Sequence, residues 1–180
     1  MATFDIGCGA AKAAGAIGLD RLRCPGVDVV CELTHFPWPI ADNAADRLIF
    51  NHSIQYLGPF VRLLKEMRRV CWDGATVEIR SPHFSSYNYF TDPHYFFPLA
   101  WRTFDFWSPS SRLRYNYSKI DGITIHVVRR RIVFNNGPNP WRWLGIQSLA
   151  NHFPRVYERF LAFVLPAQEI QFELRLTKQT

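Results

Sequence analysis

Several short runs of this chain end in residues that could touch a ligand: Gly7-Cys8-Gly9, Asp20, Glu32, Asn51-His52 and Ser81-Pro82-His83. Two glycines one residue apart let a bound molecule approach the backbone closely, because glycine accepts conformations that a Cβ forbids. An acidic residue at the end of the following run, here Asp20, can accept hydrogen bonds from both hydroxyls of a ribose. Further along, His83, Asp92 and His94 bring groups that hold or move a proton near neutral pH. The same three residues are metal-ligand types, but they lack the i, i+4 pairing of a helical site, and no metal is expected.

Such tips act together only if the runs that precede them lie side by side. Thr3–Ile6, Ala16–Asp20, Val27–Cys31 and Arg47–Phe50 read as strands, the last as a continuous apolar run of the kind buried in a parallel sheet. After Gly58-Pro59, residues Phe60, Leu63, Leu64, Met67 and Val70 recur at helical spacing, and the turn Asp73-Gly74 leads into a strand Ala75–Ile79. That unit predicts an open α/β sheet, whose ligands bind outside the carboxyl ends of the strands. Gly7-x-Gly9 has no third glycine, and six residues before the next strand leave no room for a helix whose N-terminus would hold a pyrophosphate. A cofactor with ribose and adenine but no phosphate fits better.

The second half is less regular. Residues 81 to 107 hold eleven aromatics in 27 positions and read as an ordered lid with one helical turn near Leu99–Phe106. Gly122–Phe134 is strand-like, and its Arg129-Arg130-Arg131 alternates across the strand, which suits a solvated sheet edge better than a nucleic-acid groove. Tyr157, Phe160, Leu161, Val164 and Leu165 offer a helix with Pro154 near its first turn, and Gln171–Leu176 alternates as an edge strand does.

With 180 residues, 48% of them hydrophobic and 20% charged, the chain has the composition of one globular domain and not of a disordered segment, collagen or coiled coil. It contains no stretch of about 18 apolar residues, and its first residues lack a basic n-region and an apolar h-region, so a cytosolic protein is expected. Cys8, Cys24, Cys31 and Cys71 show no C-x-x-C spacing and read as free thiols. The formal charge of +6 lies in the second half: residues 1 to 80 carry nine basic and nine acidic side chains, residues 81 to 180 twelve and six. A neutral front and a basic rear suggest separate surfaces, one for a cofactor or core and the other facing an anionic substrate, membrane or nucleic acid.

Asp5-Ile6-Gly7-Cys8-Gly9, Ala16–Asp20, Gly26–Val30, the loop Phe36-Pro37-Trp38-Pro39 with Asp42-Asn43 and Asp46, and Arg68-Arg69-Val70 before Asp73-Gly74 together resemble the class I S-adenosylmethionine-dependent methyltransferases. The resemblance covers about residues 3 to 84, and the later Thr91–His94, Tyr157-Glu158 and Leu165–Ala167 are similar to the compact bacterial branch of that family. It implies a Rossmann-like, mostly parallel seven-stranded sheet with helices on its faces and an antiparallel last hairpin, as a single domain whose aromatic lid spans about residues 81 to 118. S-adenosylmethionine is then the implied cofactor. Its methionine part falls beside Asp5, Gly7, Cys8 and Gly9, its ribose on Asp20, its adenine beside Glu32-Leu33, and its methyl group near Asn51-His52. His83 and His94 become the candidates for a base, which methyl transfer needs only when the acceptor is a weak nucleophile such as a hydroxyl. The expected acceptor is a small or carrier-linked molecule. The alternative is a non-catalytic adenosyl-ligand-binding or interaction module, whose basic rear half, with Trp141-Arg142-Trp143-Leu144 and the helix near 155 to 165, faces an anionic membrane or RNA.

Overall fold

The computed structural model describes residues 1–113, 117, 122–134 and 145–178; the Trp141–Leu144 segment lies outside them. Seven strands form one sheet: β1 (Ala2–Ile6), β2 (Ile17–Asp20), β3 (Val29–Val30), β4 (Ala45–Asn51), β5 (Cys71–Pro82), β6 (Ile123–Val133) and β7 (Glu169–Lys178). Their spatial order is β3-β2-β1-β4-β5-β7-β6. β1 to β5 pair in parallel, and β7 runs antiparallel to both of its neighbours. The chain steps outward from β1 through β3 and then returns to the other side of β1 with β4, so the strand order reverses at β1/β4.

Each apolar run of the sequence becomes a strand. β5 extends further than Ala75–Ile79: the Asp73-Gly74 turn is a bulge inside it, with Gly74 at φ 86 and Asp73 Oδ1 accepting from Lys178 N at 2.8 Å. The helix α1 (Phe60–Val70) buries Leu63, Leu64, Met67 and Val70, as their spacing requires. A shorter helix α2 (Tyr87–Thr91) precedes the helical turn expected near 99–106, which is a 3₁₀ turn at Thr103–Trp107. Between β6 and β7, α3 (Ile146–His152) leads into α4 (Pro154–Val156) and a π-helical turn, Tyr157–Leu161.

The two faces of the sheet are covered unequally. Leu48, Phe50, Val77, Ile79, Phe172 and Leu174 point to one side and are buried. There α1 and the 3₁₀ turn close over them, with Phe104 edge-on to Phe172 at 4.9 Å and Phe60 packed on both Phe104 and Trp107. On the other side a single register row runs Asp5, Ile49, Glu78, Glu173 and Arg129. Arg47 and Glu78 pair there at 2.7 Å with side chains 45% and 40% exposed. A hollow of ≈ 420 Å³ on this polar face is bordered by strand residues and by Ala11 and Ala13 of the β1–β2 loop. Arg47–Phe50 is therefore not the wholly buried run its composition suggested: Arg47 is open to solvent and Ile49 half-buried. Arg129 and Arg131 border this face, whereas Arg130 turns the other way, onto Asp105 Oδ1 at 2.8 Å and the Trp101 ring.

The long connection from β3 to β4 is held by side chains rather than by a helix. Trp38 is buried, its indole N–H donates to Leu33 O at 2.9 Å, and its backbone N–H donates to Glu66 Oε1 at 2.7 Å. Glu66, itself buried on α1, pairs with Arg69, which also donates to Ile40 O and Asp42. Because a buried carboxylate is tolerated only when paired and hydrogen-bonded, this cluster fixes where the loop leaves β3 and so where Glu32 and Leu33 stand.

Candidate active site

At the carboxyl ends of β1 to β4 lies a cleft of ≈ 640 Å³ bordered by Gly7, Asp20, Glu32, Leu33, His52 and His94, together with Ser53, Tyr56, Asp92 and Phe96. The size falls within the range of ligand pockets, about 300–1,000 Å³.

The tips that build it are locked to one another by backbone geometry. Gly7 has φ 72, and a Cβ there would stand 2.5 Å from Ser53 Cβ, so only glycine lets the turns after β1 and β4 meet. Ser53 Oγ donates to Ile6 O across the same junction. Gly7 N and Cys8 N both donate to Leu19 O, and the Asp20 carboxylate accepts from Gly9 N at 2.8 Å and Leu22 N at 2.9 Å. Asp20 is thus the clamp of the glycine turn as well as a wall of the cleft. Glu32 Oε1 accepts from Thr34 N and Thr34 Oγ1, and the backbone N–H holds its carboxyl below the ordinary carboxylate value.

The opposite wall is a small polar network. Tyr56 Oη donates to Asp92 Oδ2 at 2.7 Å, and Asp92 Oδ1 accepts from His94 N and contacts His94 Nδ1, each at 3.0 Å. Desolvation, followed by the bond to Asp92, raises the Tyr56 phenol pKa, while the bond from Tyr56 leads those that lower Asp92. The segment is seated by Phe96 N donating to Gln55 O at 2.8 Å and by the Phe96 ring lying over Gly58, where a Cβ would meet it at 2.4 Å. His52 has φ 56, and its Nε2 lies 2.9 Å from Glu169 Oε2. The cleft therefore carries two imidazoles, each beside a carboxylate.

Of the residues singled out in the sequence, Gly7, Asp20, Glu32, Leu33, His52, Asp92 and His94 come together here, whereas Asp5, Cys8, Gly9, Asn51 and His83 do not. His83 does not face the cleft: it is wholly buried, with Nδ1 2.8 Å from Ser85 Oγ and Nε2 3.2 Å from Glu158 Oε1, tying the end of β5 to the helical turn after α4. Asn51 and Asp5 border the hollow on the polar face, because strand alternation turns both away from the core. Asp5 accepts from Ala13 N, its Oδ1 is buried without a partner, and burial raises its pKa. Cys8 is buried beneath the turn, and Gly9 gives its N–H to Asp20. Ser53 and Tyr56 were missed by sequence reasoning; their position in the turn directly after β4 was the signal that could have found them.

The arrangement fits a nucleoside. Two carboxylates, Asp20 and Glu32, stand on neighbouring strand tips beside the apolar Leu22 and Leu33, and the β1–β2 connection is too short to present a helix N-terminus to a pyrophosphate.

No protein-family model matches the sequence, and no curated protein matches it either. Solved structures do. An S-adenosylmethionine-dependent methyltransferase from Archaeoglobus fulgidus superposes with a TM-score of 0.57 at 17% identity, over 96% of this chain and 85% of that one. The YcgJ protein of Bacillus subtilis reaches 0.62 at 10% identity, over 99% and 92%. Phosphoethanolamine N-methyltransferase 2 of Haemonchus contortus, in complex with phosphomonomethylethanolamine and S-adenosylhomocysteine, gives 0.53 at 13% identity, over 98% of this chain and 48% of its own. The fold of this chain is that of the class I S-adenosylmethionine-dependent methyltransferases.

Proposed function

We propose that the protein transfers a methyl group from S-adenosylmethionine to a small or carrier-linked acceptor. The observation that carries this reading is the convergence of Gly7, Asp20, Glu32 and Leu33, from the tips of three adjacent strands, on one cleft at the point where strand order reverses. The Haemonchus contortus protein, which shares the fold, holds S-adenosylhomocysteine.

Asp20 would hold the ribose, Glu32 and Leu33 the adenine, and the Gly7 turn the methionine part. When bound, the cofactor supplies an electrophilic methyl on sulfur. The chain's own part is to orient the acceptor and exclude water between the β4 turn and Asp92–Phe96. His94, oriented by Asp92, and His52, oriented by Glu169, are the side chains placed to take a proton from an acceptor hydroxyl or amine. His94 is retained in this reading as one candidate base, and His52 is proposed in place of the buried His83 as the second.

Calorimetry with S-adenosylhomocysteine tests the cofactor. Wild type should bind, and Asp20→Asn, which keeps an acceptor oxygen for the glycine turn, should weaken binding by about tenfold or more through loss of a charged hydrogen bond. Absence of binding in wild type, or unchanged affinity in Asp20→Asn, overturns the assignment. Binding without transfer to any acceptor in a cell extract would mark the adenosyl-binding module instead.

A further inference from the structure

Outside the cleft, α3, α4 and the turns that follow present a row of apolar side chains to solvent: Leu149, Phe153, Val156, Phe160, Phe163 and Val164. The first five recur at intervals of four, three, four and three residues along α3, α4, the π-helical turn and the residues just after it, with Val164 directly after Phe163, while Ala150, Tyr157 and Ala162 are buried in the core. Phe160, Phe163 and Val164 are 65%, 72% and 74% exposed. The periodicity of Tyr157, Phe160, Leu161, Val164 and Leu165 was legible as a helix, but the structure buries only part of that set. A contiguous exposed apolar row marks an interaction site, unlike apolar residues scattered singly.

The charge around the row has one sign. Arg155 and Arg159 are exposed beside it, and the Arg159 guanidinium sits 5.3 Å from the centroid of the Phe160 ring. Glu158, the sole carboxylate between positions 145 and 165, is turned inward onto Trp101 N at 2.6 Å and His83. Phe163 meets Phe84 edge-on at 5.6 Å, which extends the surface to the lid that carries the exposed Tyr87 and Phe90.

We propose that this surface docks on the anionic leaflet of a lipid bilayer, with α3 and α4 lying in the plane of the interface. Aromatic and aliphatic side chains on one side, arginines at the rim and no outward carboxylate are the composition of an interfacial helix; the arginine stems extend the apolar area while their heads reach lipid phosphates. No described helix is long and apolar enough to cross a membrane, so the contact is peripheral. The inference goes beyond the methyl-transfer reading and does not depend on it.

Co-sedimentation with phosphatidylcholine vesicles, with and without phosphatidylglycerol, tests it on the full chain. Wild type should pellet with the anionic vesicles at low salt and be released as salt rises. Phe160→Asp with Phe163→Asp should lower partitioning by about tenfold or more, because interfacial binding scales with buried apolar area, and Arg155→Glu with Arg159→Glu should abolish the preference for phosphatidylglycerol. All four positions are exposed, so folding should be kept; if the paired aspartates fail to give a wild-type melt, Val164→Asp alone carries the test. Failure of wild type to pellet, or unchanged pelleting of a folded aspartate variant, overturns the proposal. So does a wild-type dimer that the aspartates dissociate without any vesicle binding, which would assign the row to a second copy of the chain.

Discussion

His83 and His94 carry the same imidazole into opposite settings. His94 is open to solvent beside Asp92, whereas His83 joins Ser85 to Glu158 in the interior. His83→Ala leaves Glu158 short of a partner, and about 2 kcal/mol of stability should be lost; denaturant unfolding would read this, with affinity for S-adenosylhomocysteine unchanged. The thiols separate in a similar way. Burial, with Asp5 and Asp20 nearby, pushes Cys8 up to about 11, and burial alone pushes Cys71 up to about 12. Since the thiolate is the nucleophile, both should resist iodoacetamide at mild alkaline pH in the folded protein and react once it is unfolded, as peptide mass mapping would show. At Glu169 burial works upward, but hydrogen bonds from His52 and Gln171 outweigh it, and the carboxyl titrates below its ordinary value of 4.5. A depressed folded pKa gives stability that is present above the unfolded value and lost as pH falls through the folded one. Glu169→Gln should therefore flatten the loss of stability below about pH 4.5, measured by melting across the acid range.

Among the elements, β4 divides its side chains most sharply. Leu48 is buried against α1's layer and Arg47 lies on the polar face, so Leu48→Ala should cost about 3 kcal/mol. Arg47→Ala removes only an exposed pair with Glu78 and should change stability by about 0.5 kcal/mol or less. Equal costs in denaturant unfolding would show that both faces are covered. The β3–β4 loop depends in turn on α1: Arg69→Ala would strand the buried Glu66 carboxylate and should destabilise by about 3 kcal/mol, loosening Glu32 and Leu33 at the cleft. These couplings explain how a chain with such short β1–β2 and β2–β3 connections still holds its strand tips in register. Asp28 does the same for β2, accepting from Gly18 N and Lys12 Nζ at 2.7 Å each.

Across the whole molecule, the local pattern sufficed for the seven strands, the helix α1 and the sheet class, because apolar runs, turn glycines and helical spacing act over a few residues. Gly7, Asp20 and Glu32 were legible as strand-tip residues for the same reason. The direction of each side chain was not, since it depends on which face of the sheet becomes the core. Asp5 and Asn51 looked like cleft residues by position, and strand parity sends them to the polar face; His52, next in the alternation and due the buried face, borders the cleft instead, its backbone turning left-handed at φ 56. His83 follows its strand end as expected, yet Ser85 and Glu158, the latter 75 residues away in sequence, draw its ring into the interior. Likewise the apolar spacing around Phe160 specifies a helix but not its rotation, which is set by Tyr157 and Ala162 finding the core and leaves Phe160 and Phe163 outside. The sequence by itself determined which elements form and what their tips are made of; the tertiary structure decided which tips share a cleft and which face stays bare, because those outcomes are set by long-range packing that no local spacing contains.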